Sequence, residues 1–465
     1  MKFVIKAAAC LLALSVVFVI LMVAIQTLDS GKVQERLRKD VRYGGLIAGN
    51  WYPGPYGQVM DMFTECVALS AGAVPAEGQS ALTRALEHRY IVGLDGEKAD
   101  PCGALVSNLR DGTSVETPPY VRYWHGYDVY LRPMLWAGIP LARVHYINLI
   151  LLTILSVGLI HASTRLLPMP IVAGLLGTLF LTTDLFTVPF VTVHAVGLMV
   201  CPASAWAAAV HLKSRPDDIG GLRWIALLSG AVFAFVDFLV NPPLTPALMM
   251  FLIIAATRWN RPEVSARSLL LSSASVTLTW FFSYATTWIG KWVISAIFLG
   301  PQKVIDEVLS NILRRTVGDP QGEIAKQISV HIGSATFANI QALGWPLFVL
   351  SLAIAAALLV FTLVRGRFTK DRVGDYLIVA SPALIPIVWM ELLRNHSIVH
   401  AWFVYRSLGL SLGIVVGASM FVLLAARRAA WSAPATRPDS ILVPSRRLPT
   451  KAPQGSAFSP SRRTI

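Results

Sequence analysis

Polar side chains that could bind or transform a ligand are concentrated in residues 391–406, between two long apolar stretches. They are Glu391, Arg394, Asn395, His396, Ser397, His400, Tyr405 and Arg406. The planar guanidinium groups suit a phosphate, and the two histidines are four residues apart, so they could share one face of a helix. We predict that this segment, including Asn395, binds a phosphate or a sugar. A polar loop that only caps two helices is the alternative.

Two carboxylates, Asp61 and Glu65, are also four residues apart. The surrounding pattern predicts a short amphipathic helix from Val59 to about Ser70, with both carboxylates on one face. A carboxylate in a partly desolvated cleft can act as a general base towards a hydroxyl. We therefore predict Asp61 as the base, with Glu65 as the second catalytic candidate. An ordinary solvated helix face is the alternative.

Three further motifs supply candidate binding residues. In the Arg-Tyr-Trp-His-Gly-Tyr motif at 122–127, Trp124 could stack on a sugar ring and His125 could donate a hydrogen bond or transfer a proton. Asp237 ends an apolar stretch, and an ionisable group in or near a membrane span is a functional candidate. Lys291 lies between two tryptophans and either pairs with a lipid phosphate or extends to water. For the 122–127 motif, the alternative is a set of aromatic residues at a membrane interface.

Weaker candidates are His194, which opens an apolar stretch, and Asp184 just before it. The charged segment 300–344 is predicted to be an amphipathic helical excursion that could form one wall of a cleft. The spacing of His396 and His400 also fits metal ligands, but the HExxH pattern of zinc enzymes is absent from the sequence. We expect no cofactor, with a divalent metal as the open alternative.

The composition indicates which elements must position these groups. Of 465 residues, 55% are apolar and only 14% are charged, whereas soluble proteins have roughly a quarter charged residues. Several apolar runs reach the roughly 20 residues that a membrane-spanning helix needs. The sequence predicts an all-α integral membrane protein with about ten transmembrane helices. These are expected at about 7–25, 145–161, 170–185, 191–212, 222–240, 244–257, 268–299, 343–364, 374–392 and 408–426.

The basic residues predict the orientation of these spans. With the N-terminus in the cytoplasm, every short basic loop falls on the cytoplasmic side, as the positive-inside rule requires. The net charge of +14 is then explained without a nucleic-acid partner. Residues 26–141 and 300–344 become two extracytoplasmic loops. Residues 427–465 become a disordered cytoplasmic tail, rich in proline and arginine, that could contact membrane lipids.

The cysteines fit the same topology. Cys66 and Cys102 both lie in the first hydrophilic loop, whereas Cys10 and Cys201 lie in apolar runs. Disulfides persist in oxidising compartments, so an extracytoplasmic loop favours a Cys66–Cys102 bridge over two free thiols.

The layout resembles the GT-C superfamily, multi-pass glycosyltransferases that use polyprenyl-phosphate-linked sugars. One helix is followed by a large first outer loop with acidic residues, then by many spans and a polar late outer loop. Short pieces similar to a bacterial branch of this superfamily occur at 122–127, 237–242 (Asp-Phe-Leu-Val-Asn-Pro), 287–292 (Thr-Trp-Ile-Gly-Lys-Trp), 395–400 (Asn-His-Ser-Ile-Val-His) and 403–406 (Phe-Val-Tyr-Arg). The chain departs from the better-defined members because no acidic pair directly follows its first helix.

The resemblance implies a reaction and a location. A carboxylate of the first outer loop would deprotonate an acceptor hydroxyl, while basic residues hold the lipid phosphate that leaves. On this interpretation Lys291, Arg394 and Arg406 are the cations, Asp61 is the base, and His125, His396 and His400 orient hydroxyls or phosphate. The donor would be a polyprenyl-phosphate-linked sugar and the acceptor a cell-envelope glycan, lipid or protein. The protein would lie in the bacterial inner membrane with both termini in the cytoplasm.

Three other functions compete with this interpretation. A transporter or flippase of a lipid-linked glycan would also line its pathway with intramembrane charges. However, the two halves of the sequence contain no matching pair of broken helices, which inverted-repeat carriers tend to have. A polymerase or acyltransferase of surface glycans is a third possibility. A scaffold without chemistry would not require clusters of polar residues on one predicted face.

Overall fold

Helices dominate the computed structural model, which describes residues 2–53, 59–73, 78–93, 100–316, 331–365 and 369–432. The first helices are α1 (Lys2–Gln26), α2 (Ser30–Arg42), α3 (Met62–Ala73), α4 (Ala81–Glu87), α5 (Pro101–Asp111), α6 (Asp128–Trp136), α7 (Leu141–Thr164), α8 (Met169–Thr182), α9 (Thr192–Ser214) and α10 (Ile219–Val236). The others are α11 (Leu244–Asn260), α12 (Ala266–Leu299), α13 (Pro301–Thr316), α14 (Ser334–Leu343), α15 (Trp345–Val364), α16 (Lys370–Ala380), α17 (Leu384–Leu392), α18 (Arg394–Val399) and α19 (Ala401–Ser432).

Seven helical segments of the described chain are long and apolar enough to cross a membrane, by length and composition. They are Phe3–Gln26, Leu141–Thr164, Thr192–Ser214, Ile219–Val236, Trp345–Val364, Lys370–Leu392 and Ala401–Arg428. This confirms the predicted helical character, which is typical of a membrane protein. The other three predicted spans form α8 and α11, which are shorter apolar helices, and α12, which contains Lys291 and many hydroxyl side chains. The number ten therefore stays a prediction.

The first hydrophilic loop folds into short helices and a small antiparallel pair of strands, β1 (Trp51–Pro53) and β2 (Val59–Asp61). A disulfide joins Cys66 in α3 to Cys102 in α5, with 5.1 Å between their Cα atoms. The predicted helix from Val59 to Ser70 is wrong at its start, because residues 59–61 form β2 and the helix begins at Met62.

Capping explains where α3 begins. The backbone N–H of Thr64 donates to Asp61 Oδ1 over 3.0 Å, and an aspartate that accepts this bond stabilises the first turn of a helix from just outside it. Asp61 and Glu65 therefore do not share one face of a helix. Both are also buried, with Asp61 2% and Glu65 0% exposed, so the solvated helix face is excluded for them.

Close packing fixes the 122–127 motif against the helix bundle. The Gly126 N–H donates to the carbonyl of Phe235 over 2.8 Å. A Cβ on Gly126 would lie 2.4 Å from the Phe235 ring, so glycine is required for this approach. On the other side, the indole N–H groups of Trp288 and Trp292 in α12 donate to the carbonyl of Arg122, over 2.7 and 3.1 Å.

The C-terminal tail and the second loop are described only in part. The predicted disordered tail begins at residue 427, but α19 continues to Ser432, and residues 433–465 lie outside the described residues. Within the segment 300–344, the predicted helical excursion is confirmed as α13. Residues 317–330 lie outside the described residues.

Candidate functional site

A cavity of about 370 Å³ lies where α13, α18 and the start of α19 face the segment 120–123 and the first turn of α3. It is lined by Trp51, Phe63, Tyr90, Tyr120, Tyr123, Phe238, Trp402 and Phe403, by Arg122, Arg314, Arg315, Asn395, His396 and His400, and by Thr64 and smaller groups. Among the described residues, no carboxylate lines it. Its wall is therefore aromatic and cationic, which suits an anion attached to a ring.

The cationic wall comes from the last turn of α13. Arg315 Nη1 donates to Nδ1 of His396 over 2.6 Å, and Nη2 donates to the hydroxyl of Tyr123. Among the described residues, neither Arg314 nor Arg315 forms an ion pair with a carboxylate. The predicted wall of a cleft is confirmed, and the two arginines supply its charge.

The third arginine of the cavity is Arg122. It makes a 3.4 Å ion pair with Glu307 of α13. Its guanidinium lies 4.1 Å from the centre of the Tyr120 ring, an arrangement in which a cation is attracted to the face of an aromatic ring. Arg122 thus links the 122–127 motif to the same helix that carries Arg314 and Arg315.

His396 in α18 and His400, which follows the last residue of that helix, lie side by side, with 4.6 Å between the centres of their rings. His396 Nε2 donates to the carbonyl of Leu239 over 3.1 Å, while Nδ1 accepts from Arg315. Burial, together with the charge of Arg315, keeps the pKa of His396 well below its usual range and lowers that of His400 to about 3. Both rings are neutral near pH 7 and can exchange hydrogen bonds with a ligand. Nδ1 of His400 is buried without a partner in the described structure.

Asp61 lies directly behind the cavity wall. Its Oδ2 accepts from the hydroxyl of Thr64 over 2.6 Å and from the indole N–H of Trp402 over 3.2 Å. His194 Nε2 lies 3.4 Å from the same oxygen. Burial alone would raise the pKa of Asp61, but the contacts from His194 and Thr64 outweigh it and hold this pKa below its usual value. The carboxylate is therefore ionised and reaches the cavity through Thr64.

Glu65 serves a different part of the fold. Its carboxylate accepts from the backbone N–H and, over 2.8 Å, from the hydroxyl of Thr192, the first residue of α9. His145 of α7 lies 3.1 Å away. A carboxylate is favourable at a helix N-terminus, where backbone N–H groups lack partners. Glu65 joins α3 to two membrane helices and does not line the cavity.

Arg406 belongs to a buried chain of polar groups beneath Asp61. It donates two hydrogen bonds to Asp184, from Nε to Oδ1 and from Nη2 to Oδ2. Its Nη1 donates to Nδ1 of His194 over 3.0 Å. The chain therefore runs from Asp184 through Arg406 and His194 to Asp61. Arg406 does not line the cavity, contrary to the prediction that it holds the phosphate there.

Within the 122–127 motif, the structure reverses which residues face the cavity. Arg122 and Tyr123 line it, whereas Trp124 and His125 are buried in the core. The Trp124 indole donates to the carbonyl of Thr287 over 2.9 Å, and His125 Nε2 hydrogen-bonds the carbonyl of Tyr120 over 2.9 Å. The predicted sugar-stacking role of Trp124 is therefore wrong for this cavity.

Lys291, Asp237 and Arg394 also lie away from the cavity lining. Lys291 is fully buried, and its Nζ donates to the carbonyl of Leu86 over 2.6 Å. Asp237 ends α10 and accepts from the N–H of Val240 over 3.0 Å. Arg394 pairs with Glu391, which also accepts from the first turn of α14. Lys291 and Arg394 were predicted to hold a phosphate, but their partners are the Leu86 carbonyl and the Glu391 carboxylate.

Sequence reasoning missed several residues of the site, among them Thr64, which leads from the cavity to Asp61. In the sequence, Arg314 and Arg315 are only two of the charges of the segment 300–344, and basic residues in the last turn of a helix are favourable without any ligand. Trp51 and Trp402 were not singled out. Trp402 lies within the polar segment 391–406, so its position was indicated, but its bond to Asp61 joins residues 341 positions apart.

No group of three histidine, cysteine, aspartate or glutamate side chains that could hold a metal ion occurs among the described residues. No family model matches the chain, nor does any curated protein or solved structure with which it was compared.

Proposed function

We propose that this protein is a membrane glycosyltransferase that moves a sugar from a polyprenyl-phosphate donor to an acceptor hydroxyl. The observation that carries the proposal is the aromatic cavity with Arg122, Arg314 and Arg315 in its wall and the ionised carboxylate of Asp61 behind Thr64. A phosphate and a nucleophilic hydroxyl can then be bound in one cavity with a proton acceptor beside it. The GT-C resemblance of the sequence agrees with this arrangement.

The phosphate is placed against the arginines of α13. Arg314 and Arg315 are adjacent, line the cavity and form no ion pair among the described residues. Guanidinium groups bind phosphate oxygens with two parallel hydrogen bonds. As the bond to the sugar breaks, negative charge grows on the phosphate, so these arginines stabilise the transition state more than the bound donor.

The proposed reaction is a single displacement at the anomeric carbon of the donor sugar. The acceptor oxygen forms a bond to the anomeric carbon, and the bond from that carbon to the phosphate oxygen breaks. Its electron pair leaves with the polyprenyl phosphate. The acceptor proton passes to the Thr64 hydroxyl, whose own proton passes to Asp61 Oδ2, 2.6 Å away.

The ends of the helices support an extracytoplasmic site. The cavity lies at the C-terminal end of α10 and the N-terminal end of α19. The opposite ends of neighbouring helices carry Lys213 and Arg215, Arg258 and Arg261, and Arg267. Under the positive-inside rule the basic ends face the cytoplasm. We therefore place the reaction at the outer face of a bacterial inner membrane, with a cell-envelope acceptor.

The test uses the full-length chain in liposomes with a panel of polyprenyl-phosphate-linked hexoses and pentoses. Release of polyprenyl phosphate and transfer to extracted envelope glycans, lipids and proteins are measured together. The wild type is expected to release polyprenyl phosphate from one donor. D61N removes the proton acceptor but retains hydrogen-bonding capacity, and T64V interrupts the path to it. Each is expected to lower transfer by at least about 100-fold, the usual range for a general base.

The matched control is D40N, because Asp40 is also buried and paired, with Arg36 of α2, but lies off the cavity. It is expected to keep wild-type transfer. Normal transfer by D61N, with a melting temperature equal to that of the wild type, would exclude Asp61 as the proton acceptor. Movement of an intact lipid-linked glycan across the bilayer without release of polyprenyl phosphate would instead identify a flippase.

A further inference from the structure

Of the described aromatic residues that line the cavity, Trp51 is the most exposed. It lies in β1 and is 45% exposed although it lines the cavity wall. Its ring is nearly parallel to that of Phe63, with 6.3 Å between the ring centres. It meets Trp402 edge to face, at 4.7 Å and 75°. The three rings form a continuous apolar surface, which we call the tryptophan platform (Trp51, Phe63 and Trp402).

Two other aromatic faces of the cavity, those of Tyr120 and Tyr123, are already occupied by cations. The guanidinium of Arg122 lies over Tyr120, at 4.1 Å, and Arg315 lies 5.6 Å from the centre of the Tyr123 ring. Over the whole described chain, no lysine or arginine is in cation–π contact with Trp51 or Trp402. The cavity therefore has a cationic part, suited to phosphate, and an uncharged aromatic part, suited to a neutral ring.

The platform is directly connected to the proton acceptor. The Trp402 indole donates to Asp61 Oδ2 over 3.2 Å, and Trp51 pairs with Asp61 in the register of β1 and β2. Phe63 precedes Thr64, whose hydroxyl leads from the cavity to Asp61. Both tryptophans of the platform are therefore neighbours of Asp61 in the fold.

We propose that the tryptophan platform is the acceptor subsite and that the acceptor is a neutral carbohydrate. The C–H faces of a sugar ring pack on indole rings, and its hydroxyl groups reach Thr64 and the neutral His400. A lipid acceptor would gain as much binding free energy from any apolar surface. It would not need flat aromatic rings next to hydrogen-bonding groups. The acceptor role rests on the proposed function, but the binding of a sugar to the platform can be measured without any transfer reaction.

The experiment measures binding of maltose, cellobiose, chitobiose and mannobiose to the full-length protein in nanodiscs. Saturation-transfer NMR identifies the sugar protons in contact, and titration gives the dissociation constant. At least one disaccharide is expected to bind through C–H protons of one ring face. W51A is expected to weaken binding about tenfold, which corresponds to about 1.4 kcal/mol. W51F retains an aromatic face and is expected to stay within about threefold, or about 0.7 kcal/mol.

W136A is the matched control. Trp136 is 38% exposed and also lies outside the candidate spans, but the amine of Lys32 lies over its ring, at 4.8 Å. This variant is expected to bind the disaccharide like the wild type. The inference is overturned if none of the four disaccharides binds the wild type, or if W51A and W136A bind equally well.

Failure of the proposed function has a different signature. In that case the wild type binds a disaccharide at the platform but releases no polyprenyl phosphate from any donor. If the function holds and the platform is the acceptor subsite, W51A transfers less sugar to glycan but still releases sugar to water at the wild-type rate. If W51A instead transfers normally to glycan, the platform is not the acceptor subsite.

Discussion

Two buried histidines each accept a hydrogen bond at Nδ1 from an arginine, yet the surroundings of the two pairs differ. Arg406 donates to His194 over 3.0 Å and also makes two bonds to Asp184. Arg315 donates to His396 over 2.6 Å and to the Tyr123 hydroxyl, without a carboxylate partner among the described residues. The first pair lies within the helix bundle and the second faces the cavity.

The difference indicates which cation is available to a ligand. A buried charge is tolerated only with a counter-charge and further hydrogen bonds, and Asp184 supplies the counter-charge for Arg406. Arg315 has only neutral acceptors and is partly open to the cavity, so an anionic ligand can supply the missing charge. An arginine–histidine pair thus lies within the fold in one place and faces a cavity in the other.

The largest expected effect tests the pair within the bundle. R406Q leaves Asp184 buried without its cation, and removing one partner of a buried pair usually lowers the free energy of unfolding by about 3–5 kcal/mol. Chemical unfolding of the detergent-solubilised protein measures this loss. The double variant D184L/R406M removes both charges and is expected to recover most of the stability. A loss of less than about 1 kcal/mol in R406Q would show that Arg406 has no such role.

A smaller change in free energy is expected at the pair that faces the cavity. R315Q should lower release of polyprenyl phosphate by about 100-fold, the usual effect of removing one group that stabilises transition-state charge. Its free energy of unfolding should fall by only about 2 kcal/mol, because the buried groups that lose a hydrogen bond, His396 and Tyr123, are neutral.

R394Q is the matched control for R315Q. Arg394 is nearby in α18 but pairs with Glu391 at 3.3 Å and does not line the cavity. This variant should keep wild-type release of polyprenyl phosphate and lose at most about 1 kcal/mol of stability. Equal losses of activity in R315Q and R394Q would remove the distinction between paired and unpaired arginines.

The effect that is smallest at neutral pH concerns the dependence of stability on pH. The pKa of His400 is about 3 in the folded protein, against about 6.5 for an unperturbed histidine. Between these values the unfolded chain binds a proton that the folded chain does not, so stability falls as the pH drops from 6.5 towards 3. One such group contributes at most about 1.4 kcal/mol per pH unit.

H400Q removes this titration and should make the decline shallower. The measurement is the free energy of unfolding at pH values from 7 down to 4 for both proteins. Parallel curves would show that His400 takes up its proton equally easily in the folded and unfolded protein. It would then no longer be a neutral hydrogen-bonding group in the cavity at pH 5.

Part of the site was predictable because the residues are close in sequence. Asn395 and His396 lie in α18, His400 follows its last residue, and all three line the cavity; the spacing of the two histidines predicts that they share one side. Asp61 was indicated by its position in the first outer loop, although it precedes a helix instead of lying within one. In contrast, Arg394 belongs to the same helix as His396 but turns to Glu391, which the spacing alone does not reveal.

The remaining residues could not be assigned because their partners are distant in sequence. Arg315 meets His396 across 81 positions and Tyr123 across 192. Lys291 was predicted to bind a phosphate, but its ammonium is held by the Leu86 carbonyl, 205 positions away. A lone lysine between tryptophans has the same local sequence whether it binds a phosphate or a carbonyl of the fold. Only the packing of α4 against α12 decides between these two partners.

The sequence by itself determined the helical membrane character of this chain, because apolar runs of about 20 residues have few other stable solutions in water or lipid. It also determined which short segments carry polar groups. Only the tertiary structure decided which of these groups face a cavity and which are paired with a carboxylate of the fold. The physical reason is that a cation already paired with a carboxylate of the fold is not available to an anionic ligand, and the pairing depends on residues distant in sequence. Asp184 and Glu391 neutralise Arg406 and Arg394, and the structure leaves Arg315 beside the cavity without such a partner among the described residues.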